Sequence, residues 1–166
     1  GSDRVLTSVS YTLTAGQEIE SLSTTNNAGI GAINLTGNAF VQTITGNAGA
    51  NVIDGGAGND ILRGLGGADQ FKFDTALNAL TNVDSIVDFT AASDKIDLSH
   101  TIFSSLSVGT LSSSAFFIGT AAQNTSEHVL YNASTGGLFY DPDGNGSAAA
   151  TEFAKLSAGL ALPFLL

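Results

Sequence analysis

Large apolar residues recur along the first half of the chain with a fixed beat. Leu35, Ile44, Ile53, Leu62 and Phe71 are nine residues apart, and Gly37, Gly46, Gly55 and Gly64 keep the same spacing. The units are Ala28 to Thr36 (AGIGAINLT), Gly37 to Thr45 (GNAFVQTIT), Gly46 to Asp54 (GNAGANVID), Gly55 to Arg63 (GGAGNDILR) and Gly64 to Lys72 (GLGGADQFK). Each offers about three residues of extended chain with one large side chain turned inward, then six residues of Gly, Asn and Asp turn chemistry. A unit this short cannot bury its own apolar face. Two units per coil, stacked in parallel, join the inward residues into one ladder and align the turns on the two flanks. The pattern predicts an all-β fold, a parallel β-roll of nonapeptide repeats followed by a small, mostly β capping region.

Weaker alternation surrounds the repeats. Val5 to Thr25 alternates in part, as half-buried strands do, so residues 1–27 are expected to be degenerate coils and 28–78 the regular roll. In 79–166, Ser85 to Phe89, Lys95 to Leu98 and Ala115 to Gly119 read as short strands. His128 to Asn132 and Leu138 to Asp141 flank the turn at Ser134 to Gly137 and predict a hairpin. Thr151 to Ala158 predicts a two-turn helix ended by Gly159.

Charge gives the turns their chemistry. Fifteen acids against five bases leave a net charge of -10, which argues against nucleic acid and against an anionic membrane surface. Eleven of the acids are Asp, the short carboxylate suited to turns and to hard cations. Glycine turns aim successive carbonyl oxygens at one point, and an Asp at the sixth position of the unit adds a carboxylate there. Two facing turns can supply the six to eight oxygens, at about 2.4 Å, that calcium takes. The expected ligand groups are Gly46, Gly49 and Asn51 facing Gly64, Gly67 and Asp69. Gly55, Gly56, Gly58 and Asp60 face whichever turn lies beside them, either the loop at Phe73 and Asp74 or Gly37 to Gln42. Ile33 and Gln42 remove the acid from the first two units, whose coils are expected to be held by packing alone.

The stretch GGAGNDILRGLGGADQFKF, followed by DSIVDFTAASDKIDLS, resembles the RTX (repeats-in-toxin) calcium-binding β-roll with its type I secretion flank, as at the end of serralysin-type proteases. The motif G-G-x-G-x-D-x-U-x, with U a large apolar residue, is met in full at Gly55 to Arg63. At Gly64 to Lys72, Leu65 replaces the second glycine. The resemblance implies Ca2+ as cofactor and a distal flank that closes the open end of the roll. It also implies an uncleaved carboxyl-terminal signal read by a type I ABC exporter and a fused passenger domain upstream. The expected location is extracellular, reached without an N-terminal signal peptide, and the start at Gly1-Ser2 reads as that of a fragment. The terminal Leu162-Pro163-Phe164-Leu165-Leu166 lacks the acidic residue often found before the last apolar residues of such tails. The alternative reading, by likeness to alginate epimerase modules, is a surface adhesin or carbohydrate-binding module whose outer face contacts a polysaccharide.

A second calcium pattern, D-x-[DN]-x-[DN]-G-x5-E, runs from Asp141 to Glu152, with Asp141, Asp143, Asn145 and Glu152 as candidate ligands. The competing reading is a polar turn in which Asp141 and Asp143 cap backbone amides. Asp84, Asp88, Asp94 and Asp97 read as turn caps, with one of them a further calcium ligand. Enzyme chemistry finds little footing. The chain has no cysteine, only His100 and His128, and no H-E-x-x-H, G-x-S-x-G or phosphate-loop lysine, so a non-catalytic module is expected. No apolar stretch reaches the roughly 18 residues of a membrane helix, so no membrane insertion is expected.

Overall fold

The computed structural model describes residues 1–162. The tail from Pro163 onward, to which the secretion-signal expectation attaches, lies outside the described residues. Strands form two sheets. The first has nine strands in the order β1 (Arg4–Thr7), β3 (Ser21–Thr24), β5 (Thr43–Thr45), β7 (Ile61–Arg63), β9 (Asp84–Ile86), β14 (Thr151–Lys155), β13 (Gly137–Tyr140), β12 (Val129–Asn132) and β11 (Phe116–Ile118). The second has five, in the order β10 (Lys95–Leu98), β8 (Gln70–Phe73), β6 (Val52–Asp54), β4 (Leu35–Thr36) and β2 (Tyr11–Thr12). Odd and even strands from β1 to β10 alternate between the sheets, so each pair makes one coil of a parallel roll.

The nine-residue beat sets the register. Leu22 pairs with Ile44, Ile44 with Leu62 and Leu62 with Ile86 in one sheet. Leu35 pairs with Ile53, Ile53 with Phe71 and Phe71 with Ile96 in the other. From Leu22 to Phe71 these side chains are fully buried. The two facing ladders are the core of the roll, and each short strand is held by the coils above and below it. β1, β2 and β3 join the same two sheets.

The distal region extends the first sheet. β14 lies parallel to β9, pairing Ala154 with Asp84 and Lys155 with Ser85. β12, β13 and β14 then form antiparallel pairs, which include the expected hairpin. Edge-on aromatic contacts tie this region to the roll: Phe73 lies 5.2 Å from Phe153, Phe103 5.1 Å from Phe153 and 5.0 Å from Tyr140. The helix expected over Thr151 to Ala158 is instead β14. Edge pairing to both β13 and β9, with Phe153 and Ala154 buried, outweighs the local helical preference. None of the described helices is long and apolar enough to cross a membrane.

Candidate metal centre

The turns stack as two columns along the flanks of the roll. On one flank Gly55 to Asp60 lies between Gly37 to Gln42 and the loop that leads into β9. Ala57 N donates to Asn38 O at 2.9 Å on one side, and Gly58 N donates to Asn82 Oδ1 at 3.2 Å on the other. On the opposite flank Gly46 to Asn51 lies beside Gly64 to Asp69, as expected, and Gly46 N donates to Arg63 O at 2.9 Å. Gly67 sits so close to Gly49 that a Cβ there would stand 2.7 Å from the Gly49 carbonyl oxygen. Gly58 has φ +125°, a conformation that favours glycine. Leu65 also has positive φ, +76°, so the side chain that replaces the motif's second glycine sits in a strained backbone.

Sixth-position side chains form a ladder of their own. Each acid accepts from the backbone N–H of its counterpart one coil earlier. Asp60 Oδ1 accepts from Gln42 N at 2.7 Å, and Asp84 Oδ1 from Asp60 N at 3.0 Å. On the other flank Asp69 Oδ1 accepts from Asn51 N at 2.8 Å, and Asp94 Oδ1 from Asp69 N at 3.1 Å. Asp84 and Asp94 therefore occupy the Asp position of two further coils. The sequence carries the signal in the triplets Asp60-Ile61-Leu62, Asp69-Gln70-Phe71, Asp84-Ser85-Ile86 and Asp94-Lys95-Ile96. Longer loops after Phe73 and Ile86 stretch the spacing from 18 to 24 and 25 residues, out of step with the nine-residue beat.

Asp74 has a different role from the one expected. Its carboxylate is bound by the Lys72 ammonium, which also reaches Asp54 Oδ2 at 3.3 Å, so Asp74 faces the outer side of β8. The carboxylate that meets Gly55 to Asp60 from the next coil is Asp84. Both acids turn toward Gly55, where a Cβ would lie 2.5 Å from Asp60 Oδ2 and 2.9 Å from Asp84 Oδ2.

The electrostatics of that pair are those of a cation site. Asp60 is 1% exposed and Asp84 3%, and Asp60 Oδ2 is a buried oxygen without a hydrogen-bond partner. Burial pushes Asp84 up to about 8, with the Asp60 charge adding to it. Burial likewise pushes Asp60 up to about 7, against the backbone N–H of Gln42 that favours its charged form. Asp69 rises to about 6 for the same first reason, with Asp94 and Asp88 as like charges nearby. A buried acid with one oxygen unpartnered that faces a second acid is relieved by a divalent cation. Asp60 and Asp84 beside Gly55 fit calcium; on the other flank Asp94 stands in the same relation to Asp69, and Gly64 lies against Asp69. Asp94 is the better satisfied of the two partners, because Thr90 N and the Ser93 hydroxyl donate to it at 2.8 and 3.1 Å.

The Asp141 to Glu152 pattern is not gathered into one centre. Asp141 Oδ1 accepts from Asp143 N at 3.3 Å, and Asp143 Oδ2 accepts from Ala148 N at 3.1 Å. Asn145 Nδ2 donates to Gln123 O at 3.1 Å, and Glu152 stands in β14 with Lys155 at 3.9 Å. Strand pairing carries Glu152 away from the loop, whose acids close the turn. Among the described residues no three His, Cys, Asp or Glu side chains converge on one metal position. What the roll turns offer is one or two carboxylates beside main-chain groups, as at Asp60, Asp84 and Gly55.

A family model described as the RTX calcium-binding nonapeptide repeat matches residues 36–71 in four copies. No curated protein matches the chain. The matched segment runs from the end of β4 into β8 and includes the turns that present Asn51, Asp60 and Asp69. Residues 36–71 are thus a run of RTX calcium-binding repeats, and Ca2+ is their cofactor.

Proposed function

We propose that this chain is a non-catalytic module whose folding is coupled to calcium and which supports type I export of a larger protein. The carrying observation is the buried pair Asp60 and Asp84, one oxygen of which has no donor. Without a cation the two carboxylates must desolvate against each other, and three-residue strands gain too little from packing to offset their chain entropy. The segment then stays loose, the state in which a chain passes through an exporter. Calcium supplies positive charge between facing turns, and only the stacked coil presents those turns together. Asp60 and Asp84 hold one position, Asp69 and Asp94 the other, and Gly55 and Gly64 keep the space beneath them clear of side chains. A site filled to ten times its dissociation constant adds about 1.4 kcal/mol to the folded state. Extracellular modules of this kind work at about millimolar calcium, far above cytosolic levels.

The test is a calcium titration of chelator-treated protein followed by circular dichroism and thermal melting. Ellipticity and melting temperature are expected to rise together, and Asp60→Ala with Asp69→Ala to blunt the response. Identical signals from chelator to millimolar calcium would remove ion-coupled folding altogether.

A further inference from the structure

The turns that lack an acid have a second substitution that accompanies the first. In Gly37 to Gln42 and Gly46 to Asn51 the sixth residue is an amide, and the second is also an amide, Asn38 and Asn47. In Gly55 to Asp60 and Gly64 to Asp69 the second residue is Gly56 or Leu65, neither with a polar side chain. The structure joins each amide pair inside its own turn. Gln42 Oε1 accepts from Asn38 N at 3.1 Å while Gln42 Nε2 donates to Asn38 Oδ1 at 2.7 Å. Asn51 Oδ1 accepts from Asn47 N at 2.8 Å while Asn51 Nδ2 donates to Asn47 Oδ1 at 3.0 Å.

The remaining groups are also spent. Asn38 Nδ2 reaches back one coil to Thr14 O and Gln17 O at 3.0 and 2.8 Å, and Asn47 Nδ2 to Gly31 O at 2.9 Å. Asn38 Oδ1 and Asn47 Oδ1 accept a second bond, from Phe40 N and Gly49 N. Gln42, Asn47 and Asn51 are each 1% exposed. A buried amide that donates and accepts carries no net charge to neutralise, and a carboxylate in its place could not donate.

We infer that the pairs Asn38–Gln42 and Asn47–Asn51 replace the ion in their turns, so that the first half of the roll folds without calcium and offers β5 and β6 as the edge on which the calcium-dependent coils assemble. Asn51 thereby determines that its own turn needs no ion, although Asp69 faces it from the next coil. The inference rests on calcium serving the acidic turns, and it adds that the dependence begins at a defined place in the chain, between Asn51 and Asp60.

Hydrogen exchange read by mass spectrometry on the whole chain tests it, in chelator and in millimolar calcium. Peptides within residues 11–54 are expected to keep their protection in chelator, and peptides within 55–98 to lose it by tenfold or more. Loss of protection along the whole roll in chelator overturns the inference and leaves ion-coupled folding standing. A pattern that does not respond to calcium anywhere removes both. Two variants separate the amide pair from mere packing. Asn51→Asp is expected to lose calcium-free protection at residues 44–54 and to regain it with calcium. Asn47→Ala is expected to lose it there and not to regain it, because no carboxylate has been added. Calcium-free protection unchanged in both variants overturns the assignment.

Discussion

The turns at Gly37 to Asn51 and those at Gly55 to Asp69 share one interior ladder, yet only the second group turns through positive φ at its second and fourth residues (Gly56, Gly58, Leu65 and Gly67), and the two groups are closed in opposite ways. In the first group two side-chain amides satisfy each other inside the turn. In the second the same space holds a carboxylate without a side-chain donor in its own turn, and at Asp60 one oxygen is left bare. The large residues at the eighth position decide that a roll forms, whereas the second and sixth positions decide what holds each bend shut. Packing and ion demand are thus written into separate positions of the same nonapeptide.

Four measurements sharpen or break that separation, in falling order of size. Ile44→Ala empties a fully buried rung and should cost about 2–5 kcal/mol in chelator and in calcium alike. Unequal losses in chemical denaturation under the two conditions would mean that ladder and turns are not independent. The pH dependence comes next. Folded-state values of about 7 for Asp60 and about 8 for Asp84 exceed the ordinary value of 3.8, so the calcium-free fold holds protons that the unfolded chain releases. That contribution is complete below about pH 4 and is lost as pH rises through about 8. Denaturation midpoints in chelator should therefore fall between pH 5 and pH 8, and saturating calcium should flatten the trend. A flat profile in chelator would put these acids in solvent.

Asp60→Asn should have opposite effects in the two conditions. It removes the buried charge and adds a donor toward Asp84, which should raise calcium-free stability by about 1–2 kcal/mol while weakening calcium uptake, read by calorimetry. A variant that is weaker in both conditions would show that the carboxylate is valued for something other than ion binding. Smallest is Leu65→Gly. The left-handed backbone at Leu65 is strained for a branched side chain, so glycine should stabilise the calcium-loaded roll by about 1 kcal/mol. An unchanged melting temperature would mean that the Leu65 side chain offsets the strain by packing.

Much of this was legible in the sequence. Spacing alone gave the inward series Leu35, Ile44, Ile53, Leu62 and Phe71, the stacking of alternate units and the pairing of Gly46 to Asn51 with Gly64 to Asp69. Three features were not. Asp84 and Asp94 complete the acid columns, but their loops are longer than the repeat and break its count, although the D-x-U triplet persists. Asp74 looked well placed by position, but whether a side chain faces inward or outward depends on the strand pleat, which turns it toward Lys72. Residues 151–155 have no local feature that announces a strand, because its pairing partners lie in β9 and β13, far away in sequence.

That last pairing also bears on how fast the molecule is made. Stacked partners in the roll, such as Ile44 and Leu62, are 18 positions apart, whereas Ala154 meets Asp84 across 70. Closing the longer loop costs about 1 kcal/mol more in chain entropy, and it must wait until β9 exists to be met. Docking of the distal hairpin is thus expected to trail the roll in refolding kinetics. Tyr131 and Tyr140 both lie in that hairpin, so tyrosine absorbance would report this slow phase directly.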